Sequence, residues 1–561
     1  MIGVTGSPTD LEVAAEFFEL FKTPWEPVVP SRKYSVVLSA GRCTQNLDAD
    51  LLLLYGATPL ALDRDLGVRV QALAGPAEVK WADTTFPVYG PLTVFEGGAD
   101  PGTLTSGSRA AAYRHQSGRQ TVRRIGYDLF GEIGFLLAHG QPPSNAPVPT
   151  LELHIALLRH LLIESGVSFV EIPPRPAGYD FTCCLTHDLD FFGIRRQKFD
   201  RTLGGFIARA SVGTLADLAR RRRTFADAAR NWLALASLPL VFLGLARDPW
   251  HPFSDYARAE EGRRSTFFLV PFKERPGVAP DGTVDSRRAV AYDVTEIGED
   301  AKQAAARGSE LAVHGIDAWR DSRAGQAEMG QLTSVTGQKP SGVRMHWLYF
   351  SRDSAMRLDQ AGFDYDSTWG YNDAVGFRAG TSQVFRLAGT KRLLELPLLI
   401  MDSALFLPAR MGLSHDAALD RCRRIVADVR RFGGTLVINW HDRSLVPERL
   451  WGKSYESLLN DVETGDRTWF ATAGEAVDWF RWRRSVRFAA EPGTDLTVTA
   501  PAAPTALPAG TIAIHRPGVG VRSQRIEAQT VQTVTLLSNP AEDRFSGGRE
   551  ARHDQSGALG A

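Results

Sequence analysis

Short apolar runs alternate with longer segments of helical spacing over much of this chain. Between about residues 181 and 485, the strand-like runs include STFFLVPF, SELAVHG, LLELPLLIM and GGTLVINWHD. Between them, apolar residues recur at three- and four-residue steps, as in SHDAALDRCRRIVADVRRFGG. Such alternation is typical of a parallel sheet with crossover helices. The pattern predicts an α/β fold for this region, either a barrel or an open sheet.

The regions on either side have different patterns. Residues 1–170 combine short apolar strands such as KYSVVLSAG with leucine-rich helical segments, which predicts an N-terminal α/β accessory domain. Residues 486–540 lose the helical spacing and predict a small β module, and the polar, Gly-rich residues 541–561 predict a disordered tail. We expect the largest domain at residues 176–485, with an insertion at residues 195–252.

Length, charge and cysteine content narrow the class of protein. The 561 residues exceed one ordinary core, and 64 Lys and Arg balance 64 Asp and Glu, so bulk charge predicts no nucleic-acid partner. The cysteines Cys43, Cys183, Cys184 and Cys422 form no CxxC motif, which indicates a reducing compartment. The N-terminus does not resemble a signal peptide, and no apolar run reaches the roughly 20 residues that span a bilayer. These features predict a cytoplasmic location.

Ionisable residues follow the predicted strands at the end where α/β folds gather their catalytic groups. The stretch FTCCLTHDLDFFG places His187, Asp188 and Asp190 directly after an apolar strand. Asp188 and Asp190 are two residues apart, so they point the same way and repel each other as carboxylates. A divalent cation held by one of them relieves that repulsion and leaves the other to act as a base on water. The alternative is that the cluster only caps and ties a loop.

Histidines after other predicted strands favour the metal interpretation. These are His314, His346 and His441. A carboxylate with an imidazole suits zinc, cobalt, nickel or iron better than calcium.

Five sequence blocks in order resemble the NodB-homology polysaccharide deacetylases, carbohydrate esterase family 4. LTHDLD resembles the first motif of that family in an HDxD form, and ELAVHG resembles its metal-histidine block. SGVRMHWLYF, FDYDSTWGY and LVINWHD resemble the arginine, aspartate-aromatic and catalytic-histidine blocks. The resemblance runs from about Phe181 to Arg484. It implies a distorted (β/α)7-type barrel that removes N- or O-acetyl groups from sugars.

The resemblance also implies catalytic roles for matching residues. Asp188 is the expected general base, Arg344 holds its carboxylate by a charged hydrogen bond, and His441 is the expected general acid. In the family an aspartate tunes this histidine. The candidates here are Asp366 as the nearest match, with Asp373 and Asp402 as competitors.

The same resemblance implies metal ligands, with one departure from the family pattern. Asp190 and His314 are expected ligands, but Ala318 stands where the family has a second histidine. Asp317 and His346 are the candidates for the third protein ligand, and water completes the shell otherwise. We expect a divalent transition metal, zinc first, with cobalt, nickel or iron as alternatives.

Aromatic residues and the insertion suggest how a substrate binds. Trp369, Tyr371 and Trp440 stand beside the site motifs, and we expect them to stack on sugar faces, with core packing as the alternative for some. Residues 195–246 are first basic and then apolar, ending in WLALASLPLVFLGLA. Such a segment docks on an anionic membrane face or packs as an ordinary solvated helix. Membrane docking implies a lipid-linked sugar as the substrate.

The sequence therefore predicts a metal-dependent hydrolase that removes acetyl groups from an acetylated amino sugar or polysaccharide, in surface glycan biosynthesis or remodelling. One alternative is a glycoside hydrolase, with Asp188 and either Asp366 or Asp402 as a carboxylate pair about 5 to 9 Å apart. Another is a catalytically inactive glycan-binding protein. A complete set of catalytic residues argues against that last alternative, because a relic loses some of them.

Overall fold

The computed structural model describes residues 1–536 except 31, 42–46, 98–99, 102–103, 198–200, 247, 447, 466, 491–494 and 504–506. Cys43 and the tail at 541–561 lie outside the described residues, so the expectations for them stay predictions. Cys183, Cys184 and Cys422 are free and buried.

The N-terminal region is an α/β unit of two sheets. Its strands are β1 (Ile2–Thr5), β2 (Trp25–Pro27), β3 (Tyr34–Ala40), β4 (Ala49–Tyr55), β5 (Arg69–Leu73), β6 (Ala77–Trp81), β7 (Thr84–Val88), β8 (Leu92–Glu96), β9 (Asp100–Pro101), β10 (Leu104–Ser106), β11 (Arg109–Ala110), β12 (Ala112–Ser117), β13 (Gln120–Ile125) and β14 (Phe169–Glu171). Its helices are α1 (Pro8–Phe21), α2 (Ala61–Asp65), α3 (Leu129–Ala138) and α4 (Thr150–Glu164). One sheet has the order β2-β1-β3-β4-β13-β12-β9, and the other has the order β5-β8-β11-β10-β6-β7.

The central region is built on one curled sheet. Its strands are β15 (Phe181–Leu189), β16 (Ser265–Leu269), β17 (Glu310–Gly315), β18 (Gly342–Met345), β19 (Tyr365–Asp366), β20 (Leu394–Glu395), β21 (Ile400–Met401), β22 (Thr435–Asn439) and β23 (Thr468–Phe470). The order is β20-β19-β18-β17-β16-β15-β22-β21, with β23 also paired to β15, and every pair is parallel. No pairing among the described residues joins the edge strands β20 and β21. The predicted barrel-like parallel α/β architecture is confirmed, as a partly open barrel.

Helices connect these strands. They are α5 (Arg201–Ala208), α6 (Thr214–Ala219), α7 (Phe225–Phe242), α8 (Pro252–Ala259), α9 (Gly298–Ala306), α10 (Ser322–Thr336), α11 (Ser354–Ala361), α12 (Asp402–Phe406), α13 (His415–Phe432), α14 (Trp451–Glu463) and α15 (Ala473–Ser485). Single 3-10 turns lie at Pro143–Asn145, Ile194–Arg196, Ser286–Arg288, Val294–Ile297 and His346–Leu348, and a π-helical turn lies at Arg209–Gly213.

The local sequence explains why two of these elements form. All nine residues of β15 are buried, as expected for a central parallel strand that is covered on both faces. Helix α13 begins at Ser414, whose side chain accepts a hydrogen bond from the Ala417 amide, and ends at Gly433 with a φ of 84°. A hydroxyl cap and a glycine stop are the usual signals for the two ends of a helix.

The C-terminal strands form two small sheets. They are β24 (Arg487–Ala490), β25 (Asp495–Ala500), β26 (Gly510–Arg516), β27 (Gly520–Ile526) and β28 (Thr530–Thr535). One sheet has the order β24-β25-β28, and the other, β14-β26-β27, takes in Phe169–Glu171 from the end of the N-terminal region. These strands lie where the β module was predicted, but they are tied to the rest of the chain by that shared sheet.

The insertion forms helices α5 to α7, which pack beside the loop after β22. Phe206, Val241 and Trp250 share a buried cluster with Val446 of that loop. Among the described residues, no helix combines the length and the apolar character needed to cross a membrane.

Candidate active site

Side-chain alternation along β15 separates the three ionisable residues at its end. Asp188 and Asp190 line a cavity, whereas His187 points away from it. The His187 ring stacks on Tyr256 at 3.6 Å, and its Nδ1 atom lies 2.9 Å from the Trp440 carbonyl oxygen. Because successive strand side chains face opposite sides of a sheet, His187 supports the core behind the site.

Asp188 is held by two partners, Asn439 on the adjacent strand β22 and Arg344 on β18, three positions away in the sheet order. Arg344 Nη1 donates to Asp188 Oδ1 at 2.9 Å, and Asn439 Nδ2 donates to Asp188 Oδ2 at 2.7 Å. Arg344 is fully buried, and its Nε and Nη2 atoms donate to Ser367. Burial acts to raise the pKa of Asp188, but Arg344 outweighs it and lowers the pKa below its usual value. The predicted charged hydrogen bond is present, and Asp188 is ionised near neutral pH.

Asp190, His314 and His346 converge on one point beside Asp188. His346 Nδ1 lies 3.0 Å from Asp190 Oδ1, and His314 Nε2 lies 3.4 Å from the same oxygen. His314 Nε2 and His346 Nδ1 are 2.9 Å apart. One ligand atom from each of these residues lies within 4.8 Å of those of the other two. Three strand ends therefore bring a carboxylate and two imidazoles together.

The donor set of this cluster fits a divalent metal. His314 Nδ1 lies 2.9 Å from the Arg344 carbonyl oxygen, which accepts only, so Nδ1 carries the ring proton and Nε2 presents a lone pair. Asp190 Oδ1 is buried, and it lies against the two imidazole nitrogens rather than against a backbone or hydroxyl donor of the described residues. Buried lone pairs that face one another are costly unless a cation or proton lies between them. An Asp-His-His set of this kind suits zinc and related transition metals.

Asp317 does not belong to this cluster, which corrects one of the two expectations for the third ligand. Its Oδ1 atom accepts a hydrogen bond from the Val278 amide at 3.1 Å and lies 3.7 Å from Arg320 Nη1. Asp317 follows β17 in a loop whose amides are bound by Glu328. The loop therefore turns this carboxylate toward residues 278 and 320, and His346 occupies the third position instead.

His441 is paired with Asp402, which corrects the expectation for Asp366. His441 Nδ1 lies 2.5 Å from Asp402 Oδ1, and the His441 amide donates to Asp402 Oδ2 at 2.8 Å. Ser444 Oγ also donates to Asp402 Oδ2. Burial acts to lower the pKa of His441, but Asp402 raises it to about 10. His441 is therefore an imidazolium at neutral pH, with its Nε2–H available on the cavity side.

Asp366 instead forms a buried pair with Glu395 on the adjacent strand. Thr368 Oγ1 donates to Asp366 Oδ1, and Glu395 Oε1 accepts from the Trp369 amide at 2.9 Å. Burial raises the pKa of both carboxyls, that of Asp366 to about 7. Asp366 does not line the cavity, and its carboxyl lies against Glu395 instead. Asp373, the other competitor, does not line the cavity either.

The predicted substrate-stacking aromatics lie in the core, which is a further correction. Trp369 and Trp440 are buried, and the hydroxyl of the buried Tyr371 donates to the Gln141 carbonyl at 2.8 Å. None of the three lines the cavity. Three half-buried aromatics take their place, namely Phe191, Trp347 and Trp451. Each of these lies in a connecting segment or at the start of a helix. In such segments the sequence does not predict which aromatic ring faces the cavity.

The cavity itself has a volume of about 280 Å³. Its walls combine Asp188, His441 and the Asp190-His314-His346 cluster with further residues to which the sequence gave no role. These additional residues are Leu348, Asn372, Met401, Ser403, Leu407, Arg410, Asp442, Arg443, Ser444 and Arg449. Most of them lie in the loop after β22 or around α12. Three of the ten are arginines, and the arginine content of these two loops is the sequence signal that points to them.

Comparison with known proteins gives structural likenesses only. No protein-family model matches the chain, and no curated protein matches it in sequence. A solved structure from Mycobacterium smegmatis that is titled as a polysaccharide deacetylase is 19% identical, with a TM-score of 0.33 over 58% of this chain and 100% of that one. An allantoinase is 12% identical, with a TM-score of 0.34 over 55% of this chain and 92% of that one. A family 4 carbohydrate esterase from Streptomyces lividans is 10% identical, with a TM-score of 0.25 over 52% and 93%.

The solved structures similar to this chain thus include one titled as a polysaccharide deacetylase and one titled as a family 4 carbohydrate esterase. They also include an enzyme named for another substrate. The side chains of the cavity therefore carry the evidence for a function.

Proposed function

We propose that this protein is a metal-dependent hydrolase that removes acetyl groups from an acetylated sugar. One observation carries the proposal. The Asp190-His314-His346 cluster opens into the same cavity as a carboxylate held by Arg344 and an imidazolium held by Asp402. A metal position, a base and an acid around one space are the parts that amide or ester hydrolysis requires.

The chain's own residues supply the proton transfers. A divalent metal held by Asp190, His314 and His346, zinc being our first expectation, would supply Lewis acidity toward the acetyl group. Asp188 accepts a proton from the attacking water, and Arg344 and Asn439 fix its orientation while leaving lone pairs free on each oxygen. His441 donates a proton from Nε2 to the leaving nitrogen or oxygen, because Asp402 keeps it protonated.

The cavity also bears on the alternatives. Its volume of about 280 Å³ lies near the lower end for small-ligand pockets, roughly 300 to 1,000 Å³, which favours one acylated sugar unit at the site. Neither Asp366 nor Asp402 lines the cavity, so neither provides the second carboxylate of the glycosidase alternative. A role in surface glycan biosynthesis or remodelling fits this assignment, and the cytoplasmic location stays a prediction.

We further propose that the insertion rests on an anionic membrane and that the substrate is lipid-linked. Nine of the sixteen exposed large apolar residues among the described residues lie between Ile207 and Leu245. Arg220, Arg221 and Arg222 are exposed within the same segment. Apolar side chains beside clustered arginines are the composition of surfaces that bind anionic lipid headgroups. The insertion also packs against the cavity loop through Trp250 and Val446.

Metal content and acetate release test the enzymatic proposal together. The purified chain is expected to hold about one transition metal ion per molecule, and the metal-loaded protein is expected to release acetate from N-acetylated sugars. Asp188→Asn should keep the metal and lose the release. A chain that takes up no zinc, cobalt, nickel or iron, or a loaded chain that releases no acetate from any acetylated sugar, would sink the proposal.

A further inference from the structure

The most unusual feature of the cavity is its arginine content. Arg410, Arg443 and Arg449 line the same space as the Asp190-His314-His346 cluster. Arg410 Nη1 donates to Ser403 Oγ at 2.8 Å. No carboxylate oxygen of the described residues lies within 4.0 Å of a guanidinium nitrogen of Arg443 or Arg449, the distance that defines an ion pair. The Nε atoms of both arginines are buried and have no hydrogen-bond partner among the described residues. Buried guanidinium groups are costly unless something pairs with them.

Aromatic rings hold two of these guanidinium groups in place. Arg443 lies 3.5 Å from the ring centre of Phe191 and 5.1 Å from that of Trp250. Arg449 lies 4.8 Å from the ring centre of Trp451. Stacking on a ring face fixes the plane of a guanidinium and leaves its N–H groups free along the edges. Those edges are the atoms that bind a carboxylate or phosphate through paired hydrogen bonds.

The neighbouring carboxyls neutralise these cations only in part. Asp442 and Glu448 are buried beside them, and each has one carboxyl oxygen without a hydrogen-bond partner among the described residues. Burial raises the pKa of both groups, that of Asp442 to about 7. Burial and then the nearby Arg449 lower the pKa of Arg443 to about 10, so it is still charged at neutral pH. The three arginines and the His441 imidazolium outnumber the three aspartates that line the cavity, so its wall keeps a net positive charge.

We propose that this cavity selects a substrate that carries an anionic oxygen group, carboxylate or phosphate, beside the acyl group to be removed. Arg443 and Arg449 bind that group, and Arg410 adds a third positive charge to the wall. The inference rests on the proposed function for the acyl group, but anion recognition itself does not depend on turnover. It narrows the substrate class from acetylated sugars in general to acidic or phosphorylated ones.

The test is binding of sugars that lack an acyl group, so that hydrolysis does not enter. Calorimetry on the full chain compares glucose, glucuronic acid and glucose 1-phosphate. At least one anionic sugar should bind about tenfold more tightly than glucose, and added salt should reduce that preference. Tighter binding of glucuronic acid indicates a carboxylate substrate, and tighter binding of glucose 1-phosphate indicates a phosphorylated one.

Matched variants locate the effect. Arg443→Gln and Arg449→Gln should each reduce the affinity for the anionic sugar about tenfold, with thermal unfolding measured to verify the fold. Arg443→Lys should keep part of the preference, because charge remains while the paired geometry is lost. Arg423→Gln, which alters an exposed ion pair on α13, should change nothing.

Two outcomes would overturn the inference. Equal binding of the three sugars, or no binding of either anionic sugar at millimolar concentration, means that the arginines do not select an anion. Full retention of the preference in both glutamine variants means that the anion binds elsewhere. If instead the preference is found but no acetylated sugar, neutral or anionic, yields acetate, the anion site stands and the deacetylase proposal fails.

Discussion

His441 and Asp402 form a hydrogen-bonded pair, with 2.5 Å between Nδ1 and Oδ1, although 38 other residues separate them in the chain. Asp402 is fully buried, and its second oxygen accepts from the His441 amide and from Ser444 Oγ. The carboxylate is therefore fixed from three directions, and it holds both the orientation and the charge of the imidazole. The proposed general acid depends on this relationship.

Replacing Asp402 should move the alkaline limit of activity. With Asp402 present, His441 has a pKa of about 10, so its acid form is lost only as the pH rises through that value. In Asp402→Asn the negative charge is gone, and the pKa should fall toward the ordinary value of about 6.5. The pH profile of kcat should lose its alkaline activity, and NMR titration of His441 should show the same change.

Asp366→Asn is the control for that experiment, since Asp366 does not contact His441. It should leave the pKa of His441 unchanged. If Asp366→Asn shifts the titration and Asp402→Asn does not, the assignment of the pair is wrong.

The metal should depend on His346 and not on Asp317. His346→Ala removes one of the three converging ligand atoms and should weaken zinc binding by at least about tenfold. Asp317→Ala changes an aspartate that follows the same strand as His314 but points elsewhere, and it should keep wild-type zinc affinity. Competition with a chromophoric chelator measures both. Equal zinc loss in the two variants would reinstate Asp317 as a ligand.

Removing the Arg344 side chain should destabilise the fold strongly. Arg344→Met leaves the buried Asp188 carboxylate without its main cationic partner, a loss that typically costs about 3–5 kcal/mol. Urea denaturation gives the free energy of unfolding. Adding Asp188→Asn to Arg344→Met should recover part of that loss, because the buried charge is gone. No recovery in the double variant would show that Arg344 acts mainly through its contacts with Ser367.

The sign of the pH effect follows from Asp188. Its pKa in the folded chain is lowered, so its contribution to stability is present above the unfolded value of about 3.9 and is lost as the pH falls through the folded value. In Asp188→Asn, the loss of stability below about pH 4 should therefore be less steep than in wild type, which circular dichroism at a series of pH values can measure.

The insertion should bind anionic vesicles through its exposed apolar residues. Phe225 and Leu233 are 81% and 71% exposed, and burying such side chains in an interface contributes about 1.5–3 kcal/mol each. The double variant Phe225→Ser with Leu233→Ser should lose at least about tenfold in affinity for phosphatidylglycerol vesicles. Cosedimentation with the vesicles measures this affinity. The same measurement with uncharged phosphatidylcholine vesicles gives the contribution of charge.

Val519→Ser is the matched control, because Val519 is 73% exposed in the turn between β26 and β27, outside the insertion. It should bind vesicles like the wild type. A wild-type chain that does not sediment with anionic vesicles would leave the insertion as an ordinary surface and remove the reason to expect a lipid-linked substrate.

The sequence alone determined the features that depend on local pattern. Alternating strand-like and helical runs predicted the parallel sheet, because each run reflects only its own period of burial. The D-x-D spacing predicted that Asp188 and Asp190 face one side, because alternation along a strand is local too. The same rule places His187 on the other side, where it contacts Tyr256.

Only the tertiary structure decided which residues from different strands meet. The sequence favoured Asp366 over Asp373 and Asp402, but the fold brings Asp402 to His441. In the same way, the turn after β17 carries Asp317 away from the cluster that His346 joins. Which residues meet depends on where long loops bring the chain back to the sheet. The aromatic or acidic character of a residue does not predict the course of such a loop. Tertiary packing therefore decided the third residue of the Asp190-His314-His346 cluster, the partner of His441 and the aromatic walls of the cavity.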